Sequence, residues 1–157
     1  MSVMSRRKLL KLVDTEKIKK GIEAAERRTS GEIRVSVAPY FWGKIKPVAE
    51  KAFWRLGMTR TKDRNGILFF IVPSRRRFVV LGDDGIHAKV GQGFWHRVAD
   101  AMSEKFKAGE FTEGLIKGIE TVGENLATHF PYDAATDKNE LPDDVDFGSA
   151  KKVQKEK

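Results

Sequence analysis

Residues Asp63 to Gly85 constrain the fold more than any other stretch of this chain. They read Asp63-Arg-Asn-Gly-Ile-Leu-Phe-Phe-Ile-Val-Pro-Ser-Arg-Arg-Arg-Phe-Val-Val-Leu-Gly-Asp-Asp-Gly85. Two apolar runs, Ile67 to Val72 and Phe78 to Leu81, flank the polar connection Pro73-Ser74-Arg75-Arg76-Arg77. Both runs are too short for a typical helix and rich in Val, Ile and Phe, which predicts an antiparallel hairpin. Neither run alternates. A strand without a polar side has to be covered on both faces, so the hairpin belongs to a sheet between helical layers.

The hairpin also gathers chemistry. Antiparallel pairing sets the start of one strand beside the end of the next, so Asp63 and Asn65 should meet Asp83 and Asp84 at one end of the sheet. Such oxygen donors suit Ca²⁺ or Mg²⁺. Asp-Gly and Asn-Gly are equally the residues of which tight turns are made. Arg75, Arg76 and Arg77 in the connection form a candidate anion-binding cluster.

Around this hairpin the chain divides into recognisable segments. Asp14 to Arg28 predicts a helix, with Asp14 as N-cap and Ile18, Ile22 and Ala25 on one face. The basic stretch from Arg6 to Lys11 reads as a solvated helix end or an extra turn. Glu32 to Pro39 alternates, with Ile33, Val35 and Val37 on one side and Glu32, Arg34, Ser36 and Ala38 on the other. Tyr40-Phe41-Trp42-Gly43 is an aromatic turn. Ile45 to Leu56 is the next helix, so strand, helix and strand form a crossover that makes the Glu32 strand parallel to the Ile67 strand. Glu32 thereby joins the acidic end of the sheet.

Ile86 to Gly93 reads as a loop. Phe94, Val98, Met102 and Phe106 repeat at i,i+4 as the buried stripe of a third helix, and Glu110 to Phe130 supplies a fourth. Gly114 and Gly118 lower its helix propensity and point to close approach of a neighbouring element. The fold class expected is therefore an α/β three-layer sandwich. Its small mixed β-sheet, a parallel βαβ unit plus an antiparallel hairpin, is covered by helices on both faces.

Charge and composition narrow the function. The net charge is +8, and residues 131–157, with seven acidic and five basic side chains, carry −2 of it, leaving +10 on residues 1–130. The first part is expected to be the domain (1–130). The polar tail (131–157) is expected to be disordered beyond about residue 148, with Asp137 to Asp146 able to fold back on the basic body. There is no cysteine, which excludes a disulfide framework, a thiol nucleophile and Cys-based metal sites. No apolar run approaches the roughly 20 residues of a membrane-spanning helix, and no signal-peptide pattern is present, so a cytoplasmic location is expected. His96 and Asp100 stand i,i+4, with His87 close by, but no nucleophile elbow or phosphate-binding loop accompanies them. No organic cofactor is expected.

Arg28-Thr-Ser-Gly-Glu-Ile-Arg-Val35, Asp63-Arg-Asn-Gly-Ile-Leu-Phe69, Gly82-Asp-Asp-Gly-Ile86 and Phe106-Lys-Ala-Gly-Glu-Phe-Thr-Glu-Gly-Leu115 occur in that order. Together they resemble the TPM domain family, whose members include thylakoid-lumen proteins linked to photosystem II repair. Asn139-Glu-Leu-Pro-Asp-Asp-Val-Asp-Phe-Gly148 resembles the ending of the family's short bacterial branch. The resemblance implies an α/β sandwich and a Ca²⁺ site on acidic loops, with Asp63, Asn65, Asp83 and Asp84 inside the matching motifs. It also implies weak acid-phosphatase activity, as in plant members, and a role in membrane-protein maintenance beside a LemA-type, membrane-associated partner. Where the family carries a further acidic residue after the Gly82 motif, this chain has Ala88-Lys89-Val90-Gly91. The expected function is thus a TPM accessory module, non-enzymatic or at most a weak metal-assisted phosphomonoesterase. A basic module for anionic membranes is the further alternative, with nucleic acid the less favoured anion.

Overall fold

The computed structural model describes residues 4–135 and 139–148. Two helices open the chain, α1 (Arg6–Leu12) and α2 (Thr15–Glu26), followed by strand β1 (Glu32–Val37) and helix α3 (Ile45–Arg55). The hairpin is β2 (Gly66–Val72) and β3 (Arg77–Gly82), joined by a 3-10 turn over Pro73–Arg75. A short helix α4 (Asp84–His87) leads to α5 (Gln92–Lys107) and α6 (Phe111–Leu126). Among the described residues the sheet has the order β1-β2-β3. β1 runs parallel to β2 from Glu32↔Gly66 to Val37↔Ile71, and β3 runs antiparallel to β2 from Gly82↔Ile67 to Arg77↔Val72.

The sheet is the middle of three layers, as the non-alternating hairpin requires. All seven residues of β2 are buried. Ile33, Val35, Val37, Ile67, Phe69 and Ile71 face the larger core, built with α2, α5 and α6. Leu68, Phe70 and Val72 face the smaller core, built with Ala49, Ala52 and Phe53 of α3 and with Met58. Period-two alternation across a pleated strand divides the side chains between these two cores.

The long helices pack through small residues. A Cβ on Gly114 would meet the Phe106 ring at 2.7 Å, and one on Gly118 would meet Met102 Sδ at 2.6 Å and the Phe69 ring at 3.0 Å. Gly114 and Gly118 therefore let α6 approach both α5 and the sheet. Phe106 meets Phe78 and Phe111 edge-on, with centroids 5.0 and 5.2 Å apart.

Three segments depart from the expectation. Residues 6–12 form a capped helix, with the Lys8 amide donating to Ser5 Oγ at 3.1 Å. Leu9 and Val13 enter the main core, because a basic helix can still bury its few apolar side chains. The stretch expected as a loop begins with α4, which carries the fully buried Ile86. Helix α5 starts two residues before Phe94, at Gln92.

Residues 139–148 lie against the body as a strap along the outer edge of β1. The Val37 amide donates to Asp146 O at 2.7 Å, and the Asp146 amide donates to Val35 O at 2.9 Å. Leu141 is buried in the smaller core, and Val145 and Phe147 pack on the larger one. This cover explains why every residue of β1 is buried although its sequence alternates. The disorder expected beyond residue 148 concerns positions outside the described residues.

Replacing Gly118 with Ala should lower stability by about 1–2 kcal/mol in urea denaturation, overpacking outweighing the gain in helix propensity. An unchanged or raised midpoint would show that α6 does not need this close approach.

Candidate functional site

The end of the sheet that was expected to be acidic is built by two turns locked together. Arg64 adopts a left-handed conformation, with φ 51°. Its carbonyl accepts from the Gly85 amide at 2.9 Å, and the Asp83 amide donates to Gly66 O at 3.0 Å. A Cβ on Gly85 would collide with the carbonyl oxygens of Asp63 and Arg64, so only glycine fits there.

Asp83 is nearly inaccessible, at 4% exposure. Its Oδ2 accepts from Arg64 Nε at 2.6 Å, and its Oδ1 accepts from Arg64 Nη2 at 2.8 Å and from the Asp84 amide at 2.8 Å. The carboxylate thus caps α4 and forms a two-pronged ion pair, the strong arrangement for arginine. Asp84 lies 3.7 Å from the same guanidinium but is 89% exposed. Asp63 is exposed as well. Arg64, between two residues singled out as ligands, is the side chain that sequence reasoning passed over. Its spacing from Asp83 across a hairpin was the available signal.

Glu32 sits at the expected end of β1, opposite Gly66. Two strand spacings, about 10 Å, separate the backbones of β1 and β3. Glu32 does not turn toward Asp83. Its two oxygens accept from the amides of Glu140 and Leu141, each at 3.2 Å. Asn65 holds the turns together, its Nδ2 donating to Ser30 O and its own amide donating to Thr61 Oγ1, both at 3.1 Å. Asn65 Oδ1 is buried with no hydrogen-bond partner.

This donor set does not fit Ca²⁺ or Mg²⁺ as it stands. Calcium takes six to eight oxygens and magnesium a near-octahedral set. Asp83 and Glu32 have their oxygens committed, Asp63 and Asp84 stand in solvent, and Asn65 offers one free buried oxygen. Among the described residues no three His, Asp or Glu side chains gather as a metal would need. A metal-assisted phosphomonoesterase would need such a group.

The strap is held by carboxyl groups of two kinds. Asp146 accepts from Ser36 Oγ and Arg55 Nη2, both at 2.8 Å. Burial pushes its carboxyl up, but the hydrogen bonds from Arg55 and Ser36 outweigh this and hold it below its ordinary 3.8. Glu26 is the opposite case. Burial first, then a hydrogen bond with Asp143, pushes its carboxyl from 4.5 to about 9, against the Ile33 amide that donates to it. Burial likewise pushes Glu32 up to about 7, although the Glu140 and Leu141 amides favour its charged form.

The arginines of the hairpin connection lie at the other end of β3. Arg75 and Arg77 stand over the Phe41 ring, at 4.8 and 5.9 Å from its centroid. Arg76 donates to the Lys107 carbonyl at 2.7 Å. Phe41 is buried, so the aromatic turn contributes packing there, while Trp42 is exposed and meets Tyr40 edge-on at 5.7 Å.

A further concavity lies elsewhere. A groove of about 780 Å³ runs along β3 between α3 and α5. Phe53 and Trp54 form the α3 wall, Trp95 and His96 the α5 wall, and Phe78 to Gly82 the floor. Trp54 is 71% exposed. Trp95 reaches the floor because Gly82 lacks a side chain, a Cβ there meeting its ring at 2.6 Å. His87 stacks at a tilt against Trp95, 5.1 Å between centroids. His96 therefore belongs to the groove wall; its i,i+4 spacing to Asp100 on α5 said nothing about β3.

The fold is that of a single α/β module with helices on both faces of a mixed sheet. The chain belongs to the TPM domain family, whose model matches residues 3–125. Its structure is similar to the NMR structure of the BA42 protein from the psychrophilic bacterium Bizionia argentinensis. That pair shares 36% identity at a TM-score of 0.81, covering 87% of this chain and 95% of the other. The N-terminal domain of a P. gingivalis protein has the same fold, at 23% identity and a TM-score of 0.61, covering 82% of this chain and 80% of that one. The N-terminal domain of cg2496 from Corynebacterium glutamicum is more distant, at 12% identity and a TM-score of 0.51, covering 90% and 79%. The comparison with curated proteins returned no match.

Two outcomes follow from this geometry. Arg64→Ala should leave the buried Asp83 carboxylate unpaired and cost about 1–3 kcal/mol. In a double-mutant cycle with Asp83→Asn the two losses should not add; additive losses would show that the pair is not coupled. The strap should also respond to pH. Glu26 and Glu32 are raised, so their contribution is complete below 4.5 and is lost as pH rises through about 7 and then about 9. Asp146 is lowered, so its contribution is lost only as pH falls below 3.8. Hydrogen exchange at Asp146 and Leu141 should therefore speed up between pH 6 and pH 9 beyond the intrinsic rate, and Glu26→Gln should flatten that dependence. A flat wild-type profile would refute it.

Proposed function

We propose that this chain is a TPM-domain accessory module, non-enzymatic or marginally enzymatic, that works by binding a partner protein in the groove over β3. One observation carries the reading: a large concavity with an apolar floor exposes Trp54 and opens along the edge of the sheet. Large aromatic side chains in a concave apolar site are the usual anchors of protein recognition. The acidic end of the sheet supports the same reading, because Asp83 and Glu32 are engaged in holding turns and strap. We take the partner to be a membrane-associated protein of the LemA type and the physiological role to be membrane-protein maintenance, as the family resemblance implies. No helix among the described residues is long and apolar enough to cross a membrane.

Site-specific photo-crosslinking tests the reading. A benzophenone amino acid at Trp54 should give one discrete adduct with a membrane-fraction protein. The same group at the exposed Glu120 on α6 should give none, and Leu81→Lys in the groove floor should abolish the adduct. Equal labelling from both positions would refute the groove. Turnover of p-nitrophenyl phosphate with Mg²⁺ that disappears in Asp84→Asn would replace it with the phosphatase reading.

A further inference from the structure

The two edges of the sheet are treated differently. The outer edge of β1 is closed by the chain's own strap, through the bonds between Val37, Asp146 and Val35. The outer edge of β3 has no such cover among the described residues. Because the Asp83 amide bonds Gly66, alternation assigns Leu81, Val79 and Arg77 to the hydrogen-bonded pairs with β2. The backbone N–H and C=O groups of Phe78, Val80 and Gly82 then point away from the sheet. Among the described residues, none of these groups bonds to anything beyond it.

Native sheets protect a free edge with proline, a bulge, inward charge or a covering element. Phe78-Val-Val-Leu-Gly82 has no proline or charge, and its register with β2 runs without interruption. The helical layers extend past it instead. Phe53 and Trp54 on one side and Trp95 on the other line the space beside β3, so a chain lying there would be covered on both faces, as β2 is.

Charge selects what could enter. Arg77 is exposed at the start of β3, and Lys46 lines the groove from the first turn of α3, with the exposed carboxylate of Glu50 one turn further along the same wall. At the far end Asp84 is exposed. A second copy would bring its own net charge of +8, which opposes association of like molecules.

We propose that the groove takes an extended segment of a partner protein, which adds to β3 as a fourth strand. The segment is apolar along its middle and carries carboxylates at the end beside Arg77. This deepens the binding reading and rests on it. Main-chain bonds to Phe78, Val80 and Gly82 supply affinity, while the walls and Arg77 supply specificity, the division of labour in strand addition.

The probes are ten-residue peptides with the core Val-Thr-Val-Tyr-Val, bearing Asp-Glu at the C-terminus, Asp-Glu at the N-terminus, or Lys-Lys at either. Each is titrated into the isotope-labelled full chain and followed by NMR. With an acidic peptide the amides of Phe78, Val80 and Gly82 should shift and exchange more slowly. Which terminus must be acidic reports whether the added strand is parallel or antiparallel. The Lys-Lys peptides should bind about tenfold more weakly, and Arg77→Glu with Lys46→Glu should reverse that order. Methylating the peptide nitrogens on the edge that faces β3 should cost up to about tenfold per bond, while methylating the opposite edge should be tolerated.

If the Trp54 and Trp95 indoles shift but the three amides do not, and methylation has no effect, strand addition is overturned while groove binding stands. Absence of any shift in the groove at millimolar peptide overturns the strand proposal, with the cross-linking result left to judge the groove. Concentration-dependent protection of these amides without peptide would make a second copy the occupant and overturn it too.

Discussion

The burial of β2 on both faces is the constraint on which the rest of the structure depends. A seven-residue strand with no polar side chain has to be covered twice, and the chain spends its helices doing so. Helices α2, α5 and α6 close one face over the alternate residues Ile67, Phe69 and Ile71. Helix α3 closes the other over Leu68, Phe70 and Val72. The glycines of α6 follow from the same demand, since a helix that must lie on Phe69 and against Met102 has no room for a Cβ at Gly118.

A central strand buried twice leaves two neighbours that are edges, and the chain handles them unequally. β1 is finished by residues from the far end of the sequence, with Asp146 bonded to Ser36, Arg55 and the backbone of the strand. Glu32 becomes a docking point for the strap rather than a ligand. The strap also covers Glu26, whose carboxyl is pushed up to about 9 by burial first and then by its hydrogen bond with Asp143. An acidic segment folded over a body with net charge +10 gains from long-range attraction, yet its closest contacts are set by burial and hydrogen bonds.

The three-layer fold was legible because it rests on period and length. The non-alternating runs at 67–72 and 78–81, the alternating Ile33, Val35 and Val37, and the i,i+4 stripe from Phe94 to Phe106 each dictate a face. That Glu32, Asn65 and Asp83 share one end of the sheet was legible too, since parallel and antiparallel pairing fix it. The direction of the side chains was not. Periodicity says nothing of Arg64 folding back onto Asp83, which depends on a left-handed turn and on Gly85 seating against Asp63. It says equally little of Glu32 turning to the amides of Glu140 and Leu141, a contact across more than a hundred residues. The groove was hidden for a related reason: Trp54 and Trp95 sit on helices that never touch in sequence and meet only across β3.

The motif residues of this chain consequently divide by what surrounds them. Asp83, Asn65, Gly85 and Glu32 are engaged in the joint between turns and in the anchorage of the strap, so their chemical character is used to hold backbone. Binding capacity has to come from groups that the fold leaves unspent. Those are the outward amides and carbonyls of Phe78, Val80 and Gly82 and the exposed face of Trp54, with the Arg77 cation, which stands over Phe41, beside them. They lie along one line, between two helical walls that already extend beyond the last strand. A sheet whose first edge is sealed by its own chain and whose last edge is apolar, regular and walled has one direction in which it can still grow.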